Sequence, residues 1–383
     1  MPFTSTGTID VCHNRYADLW QDRAPARQFN GTAYEEELFT QHSLQLLEQH
    51  DPQIPLFLVH AFHLVHTPLQ VPDEYVQRFA FIDYKNRRLY AAMVSYMDDV
   101  VGRLHTALVQ RGMWDNTLLL FASDNGGPIY YPGSASNHPL KGGKESDWEG
   151  GVRVNAFVSG GVLPPRVRGT QLNALCHIAD WLATFAALAG VNDTTDHEAA
   201  AAGLPPVDSV NLAPLLVPPR SLVAHDEVVE GASTEGDNAK ELGARSELQL
   251  SSQALLTRGD RGELYKLVVG WQTASGWVGG TYPNATGHQP LPSPTHEYPP
   301  LKFGTWAFDC GQGCLFDVAA DETEHNDISQ SHSTLVDAMR TRLDTLNKKN
   351  YEPDRGEGDP AACRIAEERY GGFYGPFVGP IPR

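Results

Sequence analysis

Residues 117–153 read TLLLFASDNGGPIYYPGSASNHPLKGGKESDWEGGVR. They open with an apolar run, residues 118–122, of strand length and bounded by polar residues. The run stops at Ser123-Asp124-Asn125-Gly126-Gly127. Asp-Asn-Gly-Gly by itself is a turn signal. At the carboxyl end of a buried parallel strand, however, a carboxylate beside a carboxamide is the form of a binding site. Asp124 and Asn125 offer hard oxygens, which suit Ca²⁺ or Mg²⁺ better than a soft metal. The glycines permit a sharp turn and leave room for a ligand. Lys141, Lys144 and Arg153 follow as a cationic cluster in an acidic protein. Metal-binding oxygens opposite fixed cations would suit a tetrahedral oxyanion.

Upstream, a helix is expected over residues 34–50, with Leu38, Phe39, Leu46 and Leu47 on its apolar side and Pro52 and Pro55 closing it. Residues 56–61 (LFLVHA) read as a short strand, buried on both faces if the sheet is parallel. They lead into His63, His66, Thr67 and Pro68. His63 is taken as a capping or loop histidine and His66 as a functional one. Leu89, Met93, Tyr96, Met97, Val100, Val101, Leu104 and Leu108 recur at helical spacing, giving a long amphipathic helix over residues 83–111 with Gly112 as its C-cap. Asp98 and Asp99 read as a solvated face or a local pair. A right-handed crossover between the strands at 56–61 and 118–122 would bring His66, Asp124 and Asn125 to one sheet edge.

Downstream, residues 154–159 read as a strand, 172–190 as a helix enclosing a buried free Cys176, and 208–216 as a short return element. Pro218 and Pro219 mark a boundary, so the expected division is residues 1–218 and 219–383. The second part reads as a small α+β unit, with strands near 264–271 and 314–318 and a helix over 331–349 carrying Leu335, Met339, Leu343 and Leu346. The loop 273–303 is rich in Gly, Pro and Thr, and the aromatic tail from Tyr370 is expected to pack back onto the body.

As a set, SDNGG, PLKGGK and WEGGVR resemble the sulfatase family, most closely its arylsulfatase B-like branch. The resemblance continues in PLFLVHAFHLVHTPLQVPDEYVQRF, YAAMVSYMDDVVGRLHTAL, HIADWLATFAALAGV, DSVNLAPLL, RGELYKLVVG and CLFDVAADETEHNDIS. It implies an α/β, alkaline-phosphatase-like fold: a mostly parallel sheet between helices, incomplete here, with a small C-terminal α+β domain. It implies hydrolysis of sulfuric esters, of aryl sulfates or of sulfated sugars and glycosaminoglycans. In the family a formylglycine, made from Cys or Ser in Cys/Ser-x-Pro-x-Arg, is the nucleophile, and a divalent ion, usually Ca²⁺, screens the sulfate oxygens. By resemblance Asp124 and Asn125 map onto half of that metal site, Lys144 onto the sulfate-contacting lysine and His66 onto the leaving-group histidine. Lys141 has no matching role and reads as surface charge.

The 383 residues contain no Cys/Ser-x-Pro-x-Arg. An N-terminally truncated sulfatase, inactive as this chain and poorly soluble, is therefore the expectation. A non-catalytic binding protein and a phosphoesterase of the alkaline-phosphatase superfamily are the competing readings. A net charge of −18 argues against nucleic-acid or anionic-membrane partners, and no run has the length of a membrane span. The partner expected is a sulfated small molecule or glycan; the oligomeric state is left open. No signal peptide is read at the N-terminus. Lysosomal or secreted location follows from the resemblance and from acceptor sequons at Asn30, Asn192 and Asn284. Of five cysteines, Cys310, Cys314 and Cys363 are placed where disulfides are plausible.

Overall fold

The computed structural model describes residues 16–29, 31, 33–130, 133–191, 193–217, 245–277, 307–350 and 361–375. The three sequon asparagines, most of loop 273–303 and the boundary at Pro218 and Pro219 lie outside them. The chain forms two compact units, Met1–Met113 with Glu352–Arg383, and Trp114–Tyr351.

In the first unit Trp20–Gln21 (β1) pairs with Ala24–Pro25 (β2). Glu35–Gln49 (α1) and Asp73–Arg78 (α2) both pack on Lys85–Gln110 (α3). α3 forms as its periodicity predicts, burying Ala92, Met93, Tyr96, Val100 and Leu108, and Gly112 takes the positive φ of a C-cap. Asp99 is a local pair, 3.0 Å from Arg78. The aromatic tail packs as expected where it is described: Phe373 is buried, and Tyr374 meets Tyr16 edge-on at 5.5 Å.

In this unit one expectation holds only in part and another fails: α1 forms and buries Leu47 as expected, but not Leu46. α1 buries Glu35, Glu36, Thr40, Ser43 and Leu47, while Leu46 is exposed. The cause is what the helix covers. Glu36 Oε1 accepts the backbone N–H groups of His63 (2.8 Å) and Leu64 (3.0 Å), and Ser43 Oγ meets His60 Nδ1 at 2.8 Å. A loop whose amides lack a sheet partner needs acceptors, and the helix supplies them. Residues 56–61, in turn, form no strand, and Phe57 and Val59 are 72% and 70% exposed. No neighbouring strand among the described residues pairs with them, so their alternation buries nothing.

In the second unit Leu119–Ala122 (β3) runs antiparallel to Ala156–Ser159 (β4), with Phe121 stacked on Phe157 at 5.2 Å. The ladders among the described residues are antiparallel; the parallel pairing there is an isolated bridge, Ala17 to Phe373, in the first unit. The crossover expected between 56–61 and 118–122 is thus not formed within them. Glu149–Val152 (α4) lies between β3 and β4 in the chain. Asp180–Leu188 (α5) is shorter than the helix expected over 172–190, leaving Cys176 outside it, free and exposed rather than buried. His197–Ala201 (α6) and Ala213–Leu216 (α7) follow.

Glu247–Ser251 (β5), Ala254–Arg258 (β6), Leu264–Val268 (β7), the short pair Trp271–Gln272 (β8) and Phe308–Asp309 (β9), and Cys314–Asp317 (β10) complete the strands. Four make one sheet in the order β10-β7-β6-β5. Strand alternation splits its side chains between two layers. Leu255, Leu267 and Leu315 meet Val336, Met339 and Leu343 of Ser333–Asn347 (α8). Ala254, Leu256, Val268 and Phe316 meet Trp148, the fully buried indole of the WEGG motif. A Cys310–Cys314 disulfide closes the turn before β10, and Cys363 is also disulfide-bonded.

Candidate functional site

The site begins where β3 ends. Ser123 N–H donates to Asn155 O at 3.0 Å, carrying the ladder one residue further. The backbone then turns. Asp124 Oδ1 accepts the Asn125 N–H at 2.8 Å, Ser123 Oγ donates to Asn125 O at 2.9 Å, and Asn125 Nδ2 donates to Gly126 O at 3.0 Å. Asp124 is exposed and Asn125 half-buried. With Nδ2 engaged, the Asn125 amide oxygen is the atom its side chain has to offer a cation.

Three backbone segments then meet at glycines. Gly126 N–H donates to Gly151 O (2.9 Å), Gly150 N–H to Lys141 O (2.7 Å) and Lys144 N–H to Gly127 O (3.2 Å). A Cβ at Gly126 would lie 1.7 Å from Gly150 O, and one at Gly143 would lie 2.5 Å from Gly127 O. The doublets in SDNGG, LKGGK and WEGGV are therefore contact points between loops, which only residues without a side chain permit. Asn137 spans the same junction. Its Oδ1 accepts from Gly127 N–H (2.9 Å), and its Nδ2 donates to Gly127 O (2.9 Å) and Gly142 O (3.0 Å).

The cationic cluster separates into different environments. Lys141 is buried, 4% exposed, and is not surface charge. Its Nζ lies 3.5 Å from the centroid of Trp148, 4.8 Å from those of Trp277 and Phe308, and 5.8 Å from that of Phe316. Burial pulls this amine down to about 8, whereas the surrounding π-faces favour the ammonium. Arg153 pairs with Glu322 at 3.0 Å and lies 3.8 Å from Glu149. Lys144 is half-buried, on the segment tied to Gly127.

Beneath α4 is a buried ionic cluster. Lys266 Nζ, on β7, lies 3.0 Å from Glu149 Oε1 and 2.9 Å from Glu324 Oε1, and all three residues are buried. Glu324 Oε2 also accepts the Glu149 N–H at 2.8 Å, at the start of α4. Desolvation raises the Glu324 carboxyl, opposed by Lys266. Asp147 adds a second tie, its N–H donating to Gln272 Oε1 (3.0 Å) and its Oδ2 accepting from Ser251 Oγ (2.9 Å). The loops rest on the four-stranded sheet through these groups and Trp148.

Asp124, Asn125 and Lys144 thus belong to one glycine-packed junction. His66 lies in the first unit, exposed, with Nδ1 2.7 Å from Thr67 O and its N–H on His63 O. His63 has the structural role expected of it: Nδ1 meets Glu35 Oε2 at 2.8 Å, and this bond raises its pKa. Asn137 and the Lys266 cluster escape sequence reading. GSASNHP reads only as a loop, and nothing local pairs Lys266 with carboxylates 117 and 58 positions away.

The residues present do not complete a Ca²⁺ site. Asp124 and Asn125 bring at most three side-chain oxygens where Ca²⁺ takes roughly six to eight. Among the described residues no group of three or more His, Cys, Asp or Glu is placed to hold a metal ion. No helix among them is long and apolar enough to cross a membrane.

Residues 3–191 match the family model Sulfatase. The chain is 30% identical over 366 residues to arylsulfatase J of Mus musculus, covering 94% of this chain and 56% of that protein. It is 29% identical over 197 residues to N-acetylgalactosamine-6-sulfatase of Mus musculus, covering 50% of this chain and 35% of the relative. It therefore spans about half, or less, of the length of these curated relatives. Among solved structures, Ps i-CgsB in complex with k-i-k-neocarrahexaose aligns with TM-score 0.56 and 25% identity, over 85% of this chain and 57% of that one. Motifs, fold and these likenesses agree: the chain is α/β in the alkaline-phosphatase-like manner, and the sulfatase family is the one its sequence matches.

Proposed function

We propose that this chain carries part of the oxyanion pocket of a sulfuric-ester hydrolase, with a sulfated sugar or aryl sulfate as its ligand. One observation carries the reading: the Asp124–Asn125 turn and the Lys144 segment share one backbone junction, closed by Lys144 N–H on Gly127 O. In this reading Lys144 holds a sulfate oxygen by charge-assisted hydrogen bonding, and His66 is assigned the leaving-group proton by resemblance alone. Asp124 and Asn125 contribute oxygens toward a cation that needs further ligands from elsewhere. The names of the relatives, an arylsulfatase and an N-acetylgalactosamine-6-sulfatase, support the ligand class. A lysosomal or secreted setting belongs to the same reading, by family resemblance and the acceptor sequons.

The 383 residues hold no formylglycine motif, so the chain alone is expected to bind a sulfate ester without turning it over. That favours a second reading, a non-catalytic binder on the same scaffold. Calorimetric titration with 4-nitrophenyl sulfate and 4-nitrophenol tests the pocket. Binding that requires the sulfate and is lost in Lys144→Met supports it; equal binding of both ligands, or binding untouched by Lys144→Met, overturns it. Release of 4-nitrophenol by the purified chain would overturn the expected inactivity.

A further inference from the structure

We propose that Asn137 is a positioning residue whose carboxamide sets the offset between the Asp124–Asn125 turn and the backbone carrying Lys144. This rests on the reading of those residues as one anion pocket. Asn137 lies between them in the chain and, on the contacts above, bonds to the backbone of both segments rather than to the proposed ligand groups. Its Oδ1 and Nδ2 engage both polar groups of Gly127, at 2.9 Å each, while Nδ2 also reaches Gly142 O at 3.0 Å. Gly127 O is in turn the acceptor for Lys144 N–H at 3.2 Å. One side chain thus connects the peptide after the oxygen turn to the peptide two residues before the lysine.

The residue type follows from this geometry. The junction uses one acceptor atom and a separate donor atom with two N–H groups, which a carboxamide has; a carboxylate has no donor, a hydroxyl has a single O–H on the accepting atom itself, and an alkyl group has neither. Asn137→Asp keeps the shape but turns a negative oxygen toward the carbonyls of Gly127 and Gly142. The space admits little else: a Cβ on Gly143 would come within 2.9 Å of Asn137 Nδ2. A shift of the lysine segment by even part of an ångström moves the Lys144 amine away from where the turn presents its oxygens. Pockets that act by preorganised charge are sensitive to offsets of that size.

The test uses the full chain as wild type, Asn137→Asp and Asn137→Ala, with Glu37→Gln in the other unit as a destabilised control. Two quantities are measured by NMR: amide hydrogen exchange at Gly127 and Lys144, and the response of isotopically methylated Lys144 to inorganic sulfate. We expect exchange at both amides to rise about tenfold in Asn137→Asp, and the sulfate response at Lys144 to weaken about fivefold. Glu37→Gln should leave the sulfate response unchanged. Unchanged exchange and unchanged response in both Asn137 variants would overturn the proposal. Raised exchange with no sulfate response in the wild-type protein would retain the clasp and overturn the anion pocket. If Asn137→Asp does not fold, Asn137→Ala removes the same bonds without adding charge and carries the same readouts.

Discussion

Replacing Lys266 by methionine tests whether charge, rather than packing, holds the loop junction on its sheet. Methionine fills nearly the same volume, so the main loss is the ammonium between Glu149 and Glu324. Glu149 keeps Arg153 at 3.8 Å, whereas the Glu324 side chain, with no exposure at all, loses its cation. A buried carboxylate left without a counter-charge takes up a proton. Protonating an ordinary glutamic acid at pH 7 costs about 3.7 kcal/mol, from a reference pKa near 4.3 and about 1.36 kcal/mol per unit. That figure falls in the range of roughly 3–5 kcal/mol for breaking a buried ion pair from one side. At pH 5 the same protonation costs only about 1 kcal/mol. Lys266→Met should therefore be strongly destabilised at pH 7 and mildly at pH 5, whereas a packing defect would cost the same at both. Urea unfolding followed by tryptophan fluorescence reads the difference, since Trp148 lies in the adjoining core. Lys266→Met/Glu324→Gln should recover most of the loss at pH 7. A loss below about 1 kcal/mol at pH 7, or equal losses at the two pH values, would refute the reasoning.

Other parts of the structure make further commitments. In the first unit the Arg103 fork holds the Glu37 carboxyl down at about 2. Because the folded pKa is depressed, its contribution is present above the unfolded value near 4.5 and is lost as pH falls toward 2. Both partners are more than a third exposed, so Glu37→Gln should cost only on the order of 1 kcal/mol at pH 7 and nothing near pH 2; acid titrations of wild type and variant that stay parallel would contradict this. Gly126→Ala should cost roughly 3 kcal/mol by overpacking against Gly150 O, whereas Gly169→Ala, with nothing within 4 Å, should cost only its φ of +74°. Equal losses at the two glycines would remove the close-approach argument. Ile54, Phe57 and Val59 expose an apolar row on a segment outside any ladder, so Phe57→Lys/Val59→Lys should lower self-association at fixed concentration. Sedimentation that shows the same aggregate fraction in the variant would exclude that row as the cause.

How much of this was legible depends on the range of the forces involved. α3 and the Gly112 cap were readable because their signals repeat within a few residues, and so was the β3 strand running into Asp124. α1 was legible in part: Leu47 is buried as its pattern suggests, but Leu46 is exposed and Glu36 turns inward to accept two loop amides. Residues 56–61 have the composition of a buried strand, but a strand is a pairing, and composition does not supply the second member. Lys141 shows the same limit. Three of its four ring neighbours, Trp277, Phe308 and Phe316, lie more than a hundred positions away in the chain, and Trp148 alone, seven positions on, does not mark an aromatic box.

The glycine doublets are visible as motifs, yet Gly126 does more than permit the sharp turn expected of it. Gly126, Gly143 and Gly150 each face a backbone carbonyl closer than a methyl group could approach. Such junctions carry little apolar area, so the hydrophobic effect does little to hold them together at the point of contact. Their cohesion must come from hydrogen bonds across the seam and from anchoring beneath it. Asn137 supplies the first kind; Trp148, Asp147 and the Lys266 cluster supply the second. This division explains why buried charge is tolerated under α4. An apolar replacement could match the cluster in stability, but Glu324 also accepts the Glu149 N–H and so fixes where α4 begins. If that is its role, an apolar triple replacement of Lys266, Glu149 and Glu324 that retains full stability should still lose the amide protection at Gly126, whose bond partner is Gly151 of the same helix.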